Sequence, residues 1–299
     1  MTSVRVAVVD VGANTLRLLV AGPSGFGVHA AHEEREQLGL GEEVERLGYV
    51  SAEKCAEAVH IARAQTRKAR RLGAERVEIL VTSPGRQSAN GSDLADALAR
   101  GTGVPVRILS CEEEGALAWE GAVAALTEPP ESIAVCDVGG GSAQVVVGAL
   151  RSGPAWVRSV DLGSLRLTTR AFAGRGDPPS AEAIAEARAA AEEAFSVVVP
   201  PVAQLALAAG GTARVLRRVV RALDADGLAQ AVEELSGLKR TKIVKRYGIP
   251  PPRAATMLAG SILLAEAQKR LGLQFELATG GVREGSVLAL FRAGAEAYA

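Results

Sequence analysis

Short apolar runs rich in β-branched residues alternate along the chain with alanine- and charge-rich stretches of helical period, which is the pattern of an α/β fold. Residues 4–9 and 16–20 read as two strands of a hairpin around a glycine turn, 52–72 as a helix, and 77–81 as a buried strand. A short helix over 93–100 and a strand over 105–109 then lead to an acidic patch, Glu112 to Glu114. From Ser132 the layout starts again. A strand over 133–136, a glycine turn and a second strand over 144–147 precede an acidic, alanine-rich helix over 181–194. The strand 205–208, the turn Gly210-Gly211-Thr212, a basic stretch from Lys239 to Arg246, a helix over 253–271 and a final helix complete the chain.

The restart is a weak internal repeat. Val8 to Thr15 reads Val-Val-Asp-Val-Gly-Ala-Asn-Thr, and Val135 to Ser142 reads Val-Cys-Asp-Val-Gly-Gly-Gly-Ser. A duplicated unit predicts duplicated geometry. At 299 residues the chain is also long for a single core. Two domains meeting at a cleft are therefore expected, cut at 1–120 and 121–299, with the last helix free to pack back on the first domain.

Charge narrows the function. Lys plus Arg total 34 and Asp plus Glu total 34, so no general basic field is available to coat nucleic acid, and any anion site must be local. Cys55, Cys111 and Cys136 lack paired spacing and read as reduced thiols; His29, His32 and His60 lack metal-ligand spacing. The N-terminus carries no signal-peptide pattern, and no apolar run reaches the roughly 20 residues of a membrane span. A cytoplasmic protein without membrane or nucleic-acid partners is expected.

In each repeat an apolar strand leads through Asp10 or Asp137 into glycines, whose backbone N–H groups can approach an oxyanion without Cβ atoms in the way. Either Asp could hold Mg²⁺, an ion that takes oxygen ligands and retains waters; each turn also reads as an ordinary glycine hairpin. Glu112 to Glu114 supply a carboxylate able to activate water, or a helix start that offsets the macrodipole. Arg86, on a loop after the 77–81 strand, stands where α/β proteins bind ligands, or is simply solvated. The basic stretch from Lys239 reads as an exposed helix face, or as a rail for a long anion.

Taken together, Asp10-Val11-Gly12-Ala13-Asn14-Thr15, Thr82 to Arg86, Ser110 to Glu114, Asp137 to Ser142, Asp161 to Thr168, Gly210-Gly211-Thr212 and Arg283-Glu284-Gly285 resemble the exopolyphosphatase and guanosine pentaphosphate phosphatase family over nearly the whole chain. The resemblance implies two duplicated actin-like (ribonuclease H-like) domains with mixed sheets flanked by helices and a cleft between them. It implies Glu114 as catalytic base, Arg86 on the phosphate, and a cradle of Gly12, Ala13, Asn14, Thr15 and Gly139, Gly140, Gly141, Ser142, with Gly210, Gly211 and Thr212 also on the substrate. Asp137 and Asp10 would lie near Mg²⁺, with Mn²⁺ as the alternative, and Gly163 and Arg166 would close one side of the cleft. The implied activity is release of the terminal phosphate of inorganic polyphosphate by a cytoplasmic homodimer.

Three positions depart from the family pattern: Gln144 stands where Glu is usual, Ala116 where Arg is usual, and Ala255 where Asp is frequent. A low-activity binder of polyphosphate or ppGpp is therefore one alternative; guanosine pentaphosphate as substrate of the same machinery is another, and an ATP-dependent kinase of the same superfamily, with Gly210-Gly211-Thr212 as an adenosine-side turn, is a third.

Overall fold

The computed structural model describes residues 4–25 and 27–296. The chain forms two compact units, one of 1–127 and 280–299 and one of 128–279. Unit 1 runs β1 (Arg5–Val11), β2 (Thr15–Ser24), β3 (Gly27–Gln37), α1 (Leu40–Leu47), α2 (Ala52–Arg71), β4 (Ala74–Val81), α3 (Ser83–Gln87), α4 (Gly91–Thr102), β5 (Val106–Ile108) and α5 (Cys111–Val123). A cut after residue 120 would fall inside α5. Unit 2 runs β6 (Ile133–Val138), β7 (Ala143–Ala149), β8 (Gly153–Val160), α6 (Ser164–Phe172), α7 (Ala181–Ala194), β9 (Leu205–Ala209), α8 (Gly210–Leu216), α9 (Ala225–Ser236), α10 (Arg240–Tyr247), α11 (Pro251–Ala254), α12 (Met257–Leu271) and β10 (Phe275–Leu277). The closing helix α13 (Val282–Glu296) belongs to unit 1.

Each unit is built on a mixed five-stranded sheet, in the order β3-β2-β1-β4-β5 and β8-β7-β6-β9-β10. In both, the first three strands form an antiparallel meander and the last two add in parallel to the first strand. The duplication expected from the sequence is thus a duplication of topology. Central strands buried on both faces have no polar side, hence the unbroken apolar runs. In β1, Ala7, Val9 and Val11 join a core with Ala58 and Ala62 of α2 and Leu94 and Leu98 of α4. Val6 and Val8 face the other way, into a core with Leu109 and with Val287 of α13.

The periodicity missed β3, because this edge strand is largely exposed and polar. Its charges protect an otherwise open sheet edge. The helix expected over 253–271 is two helices, separated at Ala255 and Thr256, where the Thr256 hydroxyl turns back to the Arg253 carbonyl at 3.3 Å. Arg86 lies in α3 rather than on a loop. No helix among the described residues is long and apolar enough to cross a membrane.

Helices α5 and α13 meet backbone to backbone. A Cβ at Gly121 would stand 2.0 Å from the Gly281 carbonyl oxygen, and one at Gly285 would stand 2.0 Å from that of Leu117. This contact orients α5, which carries Glu114. Gly285→Ala is expected to destabilise unit 1 by about 1–3 kcal/mol through overpacking, read as a lower urea midpoint. An unchanged midpoint would show that the two helices separate without cost.

Candidate active site

In unit 1 the turn after β1 is closed by the Gly12 N–H donating to the Thr15 carbonyl at 3.1 Å. Segment 38–41 ties down the turn's carbonyls: Gly41 N–H donates to Ala13, and Leu38 and Gly39 N–H groups donate to Asn14. The backbone N–H groups of Ala13 and Asn14 have no acceptor among the described residues. Adjacent amides left in this way form an anion-binding concavity. Asn14 itself accepts from the Gln37 amide, and Thr15 accepts from Arg17 at 3.2 Å.

Asp10 lies inside β1, directly across the ladder from Arg17. Burial raises its carboxyl pKa, Arg17 and then Arg283 pull it back down, and Glu284 pushes it up again. Arg283, buried at the start of α13, also pairs with Glu33 at 3.1 Å. Burial outweighs the two arginines, so the Asp10 carboxyl stays above the usual carboxylate range with two cations near it.

The three glutamates at the start of α5 separate by direction. Glu113 completes a capping box with Ser110 and pairs with Arg107 at 3.0 Å, which is the structural role expected of such a run. Glu112 is exposed. Glu114 turns inward, only 9% exposed, and its Oε2 accepts from Arg86 Nη2 at 2.6 Å. Arg86 Nη1 donates to the Leu109 carbonyl at 2.7 Å, so one guanidinium joins α3, the end of β5 and α5.

Unit 2 repeats the closing bond, with Gly139 N–H donating to Ser142 O at 3.0 Å. Here α6 ties down the carbonyls. Gly139 O accepts from the Ser164 N–H and hydroxyl, and Gly140 O accepts from the N–H groups of Leu165 and Arg166. Gly163 permits this approach, since a Cβ there would lie 2.4 Å from the Gly140 carbonyl carbon. The Gly140 N–H has no acceptor among the described residues.

Asp137 pairs across the ladder with Gln144. That buried amide donates to the hydroxyls of Ser142 at 3.0 Å and Ser159 at 3.2 Å. Gly210, at φ +78°, lies against Asp137, where a Cβ would come within 2.3 Å of Oδ1. Thr212 is buried, and its hydroxyl donates to the Val138 carbonyl at 2.7 Å. The third glycine turn is thereby bonded to the end of β6 and lies against the Asp137 carboxylate.

A model of the Ppx/GppA phosphatase family matches residues 19–293. The chain belongs to that family. It is 30% identical to an uncharacterized Streptomyces coelicolor protein, over 95% of this chain and 89% of the relative. It is 28% identical to exopolyphosphatase 2 of Mycobacterium tuberculosis, over 91% of this chain and 92% of the relative. The solved Aquifex aeolicus Ppx/GppA family member superposes at TM-score 0.82 with 22% identity, covering 97% of this chain and 98% of that one. An exopolyphosphatase from Cytophaga hutchinsonii superposes at 0.82 with 19% identity, covering 97% and 98%. The two matched mixed sheets with flanking helices are the duplicated actin-like domains of the Ppx/GppA fold, and the family is one of phosphatases, which makes the chain a hydrolase.

Within unit 1 the structure joins Arg86 to Glu114 and sets Gly12 beside Asp10; within unit 2 it gathers Asp137, Gly139 to Ser142 and Gly210 to Thr212. Sequence reasoning missed Arg17, Arg283 and Ser164 as parts of these surroundings. One signal was available: Arg17 and Gln144 each follow their strand-end Asp by seven residues, so aligning the repeats exposes both ladder partners.

Arg86→Ala leaves a nearly buried carboxylate without its cation and should cost about 3 kcal/mol of stability; Glu114→Gln should cost less. A double-mutant cycle by urea unfolding should give a coupling of about 1–3 kcal/mol. Additive effects would mean that the pair contributes nothing to unit 1. Gly210→Ala should displace Asp137 and lower the thermal midpoint, whereas an unchanged midpoint would show that the turn can yield.

Proposed function

We propose that the protein is an exopolyphosphatase, releasing the terminal phosphate of inorganic polyphosphate. The reading is carried by Glu114, a carboxylate turned inward at a helix start and paired with Arg86. The names of mycobacterial relatives as exopolyphosphatases support it.

In this reading Glu114 accepts a proton from a water whose oxygen attacks the terminal phosphorus. The bridging P–O bond breaks, its electron pair stays with the chain shortened by one unit, and orthophosphate leaves. Arg86 keeps Glu114 oriented through Nη2. Its guanidinium has five N–H donors, of which those beyond the Glu114 and Leu109 bonds can meet phosphate oxygen. Within unit 1 the amides of Ala13 and Asn14 supply fixed dipoles for phosphate oxygens at no reorganisation cost, and within unit 2 the Gly140 amide offers a dipole of the same kind.

The two strand-end aspartates differ in fitness for a divalent cation. Asp10, flanked by Arg17 and Arg283, suits Mg²⁺ poorly because both guanidinium charges repel it. Asp137 faces a neutral amide across the ladder and suits it better. Among the described residues no group of three acidic, histidine or cysteine side chains converges. The single carboxylate of Asp137 would be completed by substrate phosphates and water, a donor set that Mg²⁺ commonly takes. When bound, Mg²⁺ would offset phosphate charge.

Glu114→Gln should lower the rate constant for phosphate release by about 10²-fold or more, with KM little changed. A rate equal to wild type would remove Glu114 as base. Asp137→Asn should raise the Mg²⁺ concentration needed for half-maximal rate, while Asp10→Asn should leave it near wild type; the reverse pattern would transfer the metal role to Asp10.

A further inference from the structure

Five of the eight residues 239–246 are cationic. In α10 only Ile243 is buried, so the charged face is open. Two of the five are answered: Arg246 pairs with Glu234 at 2.8 Å, and Arg240 lies 3.9 Å from Asp177, which also accepts from the Arg240 backbone N–H. Lys239, Lys242 and Lys245 have no ion-pair partner among the described residues. Lys242 and Lys245 sit three apart on the helix, a spacing at which like charges are mutually unfavourable. A bound anion would reverse that sign.

A pocket of about 420 Å³ opens here, lined by Arg240, Thr241, Val244, Lys245, Pro251 and Ala255. Every charge in its lining is positive, and Val244, Pro251 and Ala255 give it an apolar wall. A cleft of one charge sign with low-dielectric walls focuses its field and concentrates anions. The pocket is also tied to the third glycine turn. Ala255 precedes Gly260 by five residues, and Gly260 packs on Thr212, where a Cβ would come within 2.5 Å of Thr212 Cγ2.

We propose that the α10 face and this pocket form a distal subsite for the remainder of a linear polyphosphate chain, separate from the residues acting on its end. The inference rests on the exopolyphosphatase reading. Lysine suits the task, because a flexible point charge holds phosphate without the fixed fork geometry of arginine and lets the chain advance as it shortens. Binding of this kind is equal in ground and transition states, so it lowers KM for long chains and leaves kcat alone.

The test compares wild type with the double variant Lys242→Ala/Lys245→Ala on tripolyphosphate and on polyphosphate of several hundred units. KM for the long chain should rise about 10-fold, with a salt slope shallower by about one to two, while KM for tripolyphosphate and both kcat values hold. An equal rise for both substrates, or no rise, would overturn the subsite. Binding of end-labelled long polyphosphate, followed by anisotropy, needs no turnover and is read in parallel. A weakening of about 10-fold in the double variant supports the subsite, and equal affinity overturns it. So does displacement by single-stranded RNA as effective as by unlabelled polyphosphate. Absence of phosphate release from either substrate by wild type would sink the exopolyphosphatase reading and leave the binding result to judge the subsite separately.

Discussion

A carboxylate turned into the protein at the first turn of a helix needs a cation, and most of the local architecture of unit 1 answers that need. Arg86 reaches Glu114 only because α3 follows β4 at once and β5 ends just before Leu109, whose carbonyl holds the other arm of the guanidinium. α5 is held in turn by the glycine contact with α13, where any Cβ would force the helices apart. Glu114 is thus positioned by three elements besides its own helix. The adjacent Glu113 is used up by the cap. Two neighbouring residues of identical chemistry acquire opposite roles through helical direction alone.

The two units use one topology and one turn, closed by the same glycine-to-hydroxyl-residue backbone bond, and then diverge at the ladder partner of the strand-end aspartate. An arginine opposite Asp10 makes that carboxylate part of an internal charge balance. The residue opposite Asp137 is instead a neutral amide, itself oriented by two serine hydroxyls. Replacing an acidic residue by Gln144 would remove a ligand charge, yet it keeps an uncharged neighbour beside Asp137, whereas the Arg17 position shows what a cation there would do. The duplication supplied two equivalent places, and single substitutions made them unequal.

Much of this was legible from residue order. Apolar runs gave the central strands because these are buried on both faces, and the repeated Asp-Val-Gly segment exposed the duplication. The β3 edge escaped because its side chains face solvent and its strand state comes from pairing with β2. Arg86 read as a loop residue because five helical residues after a proline-containing turn carry no periodicity. The proposed role of Glu114 as base came only through resemblance. Spacing favours a helix start for all three glutamates, and only the inward rotation of one of them separates it from the cap. Arg283 was visible as part of a motif, but its effect on Asp10 depends on α13 returning to unit 1 from the far end of the chain.

Anion recognition in a chain of zero net charge has to be built from local fields, and the two kinds proposed here act differently. Backbone amides in the glycine turns are fixed dipoles, held by carbonyl contacts on their opposite side, so they select position. The lysines of α10 are mobile charges beside an apolar wall, and they select charge density with little regard to register. A substrate with one reacting end and many identical repeats is the case in which both properties are useful at once: the end has to be placed, while the repeats have only to be retained. A compact nucleotide would gain from the first and little from the second, so the separation of fixed dipoles from mobile charges itself favours a linear polymer.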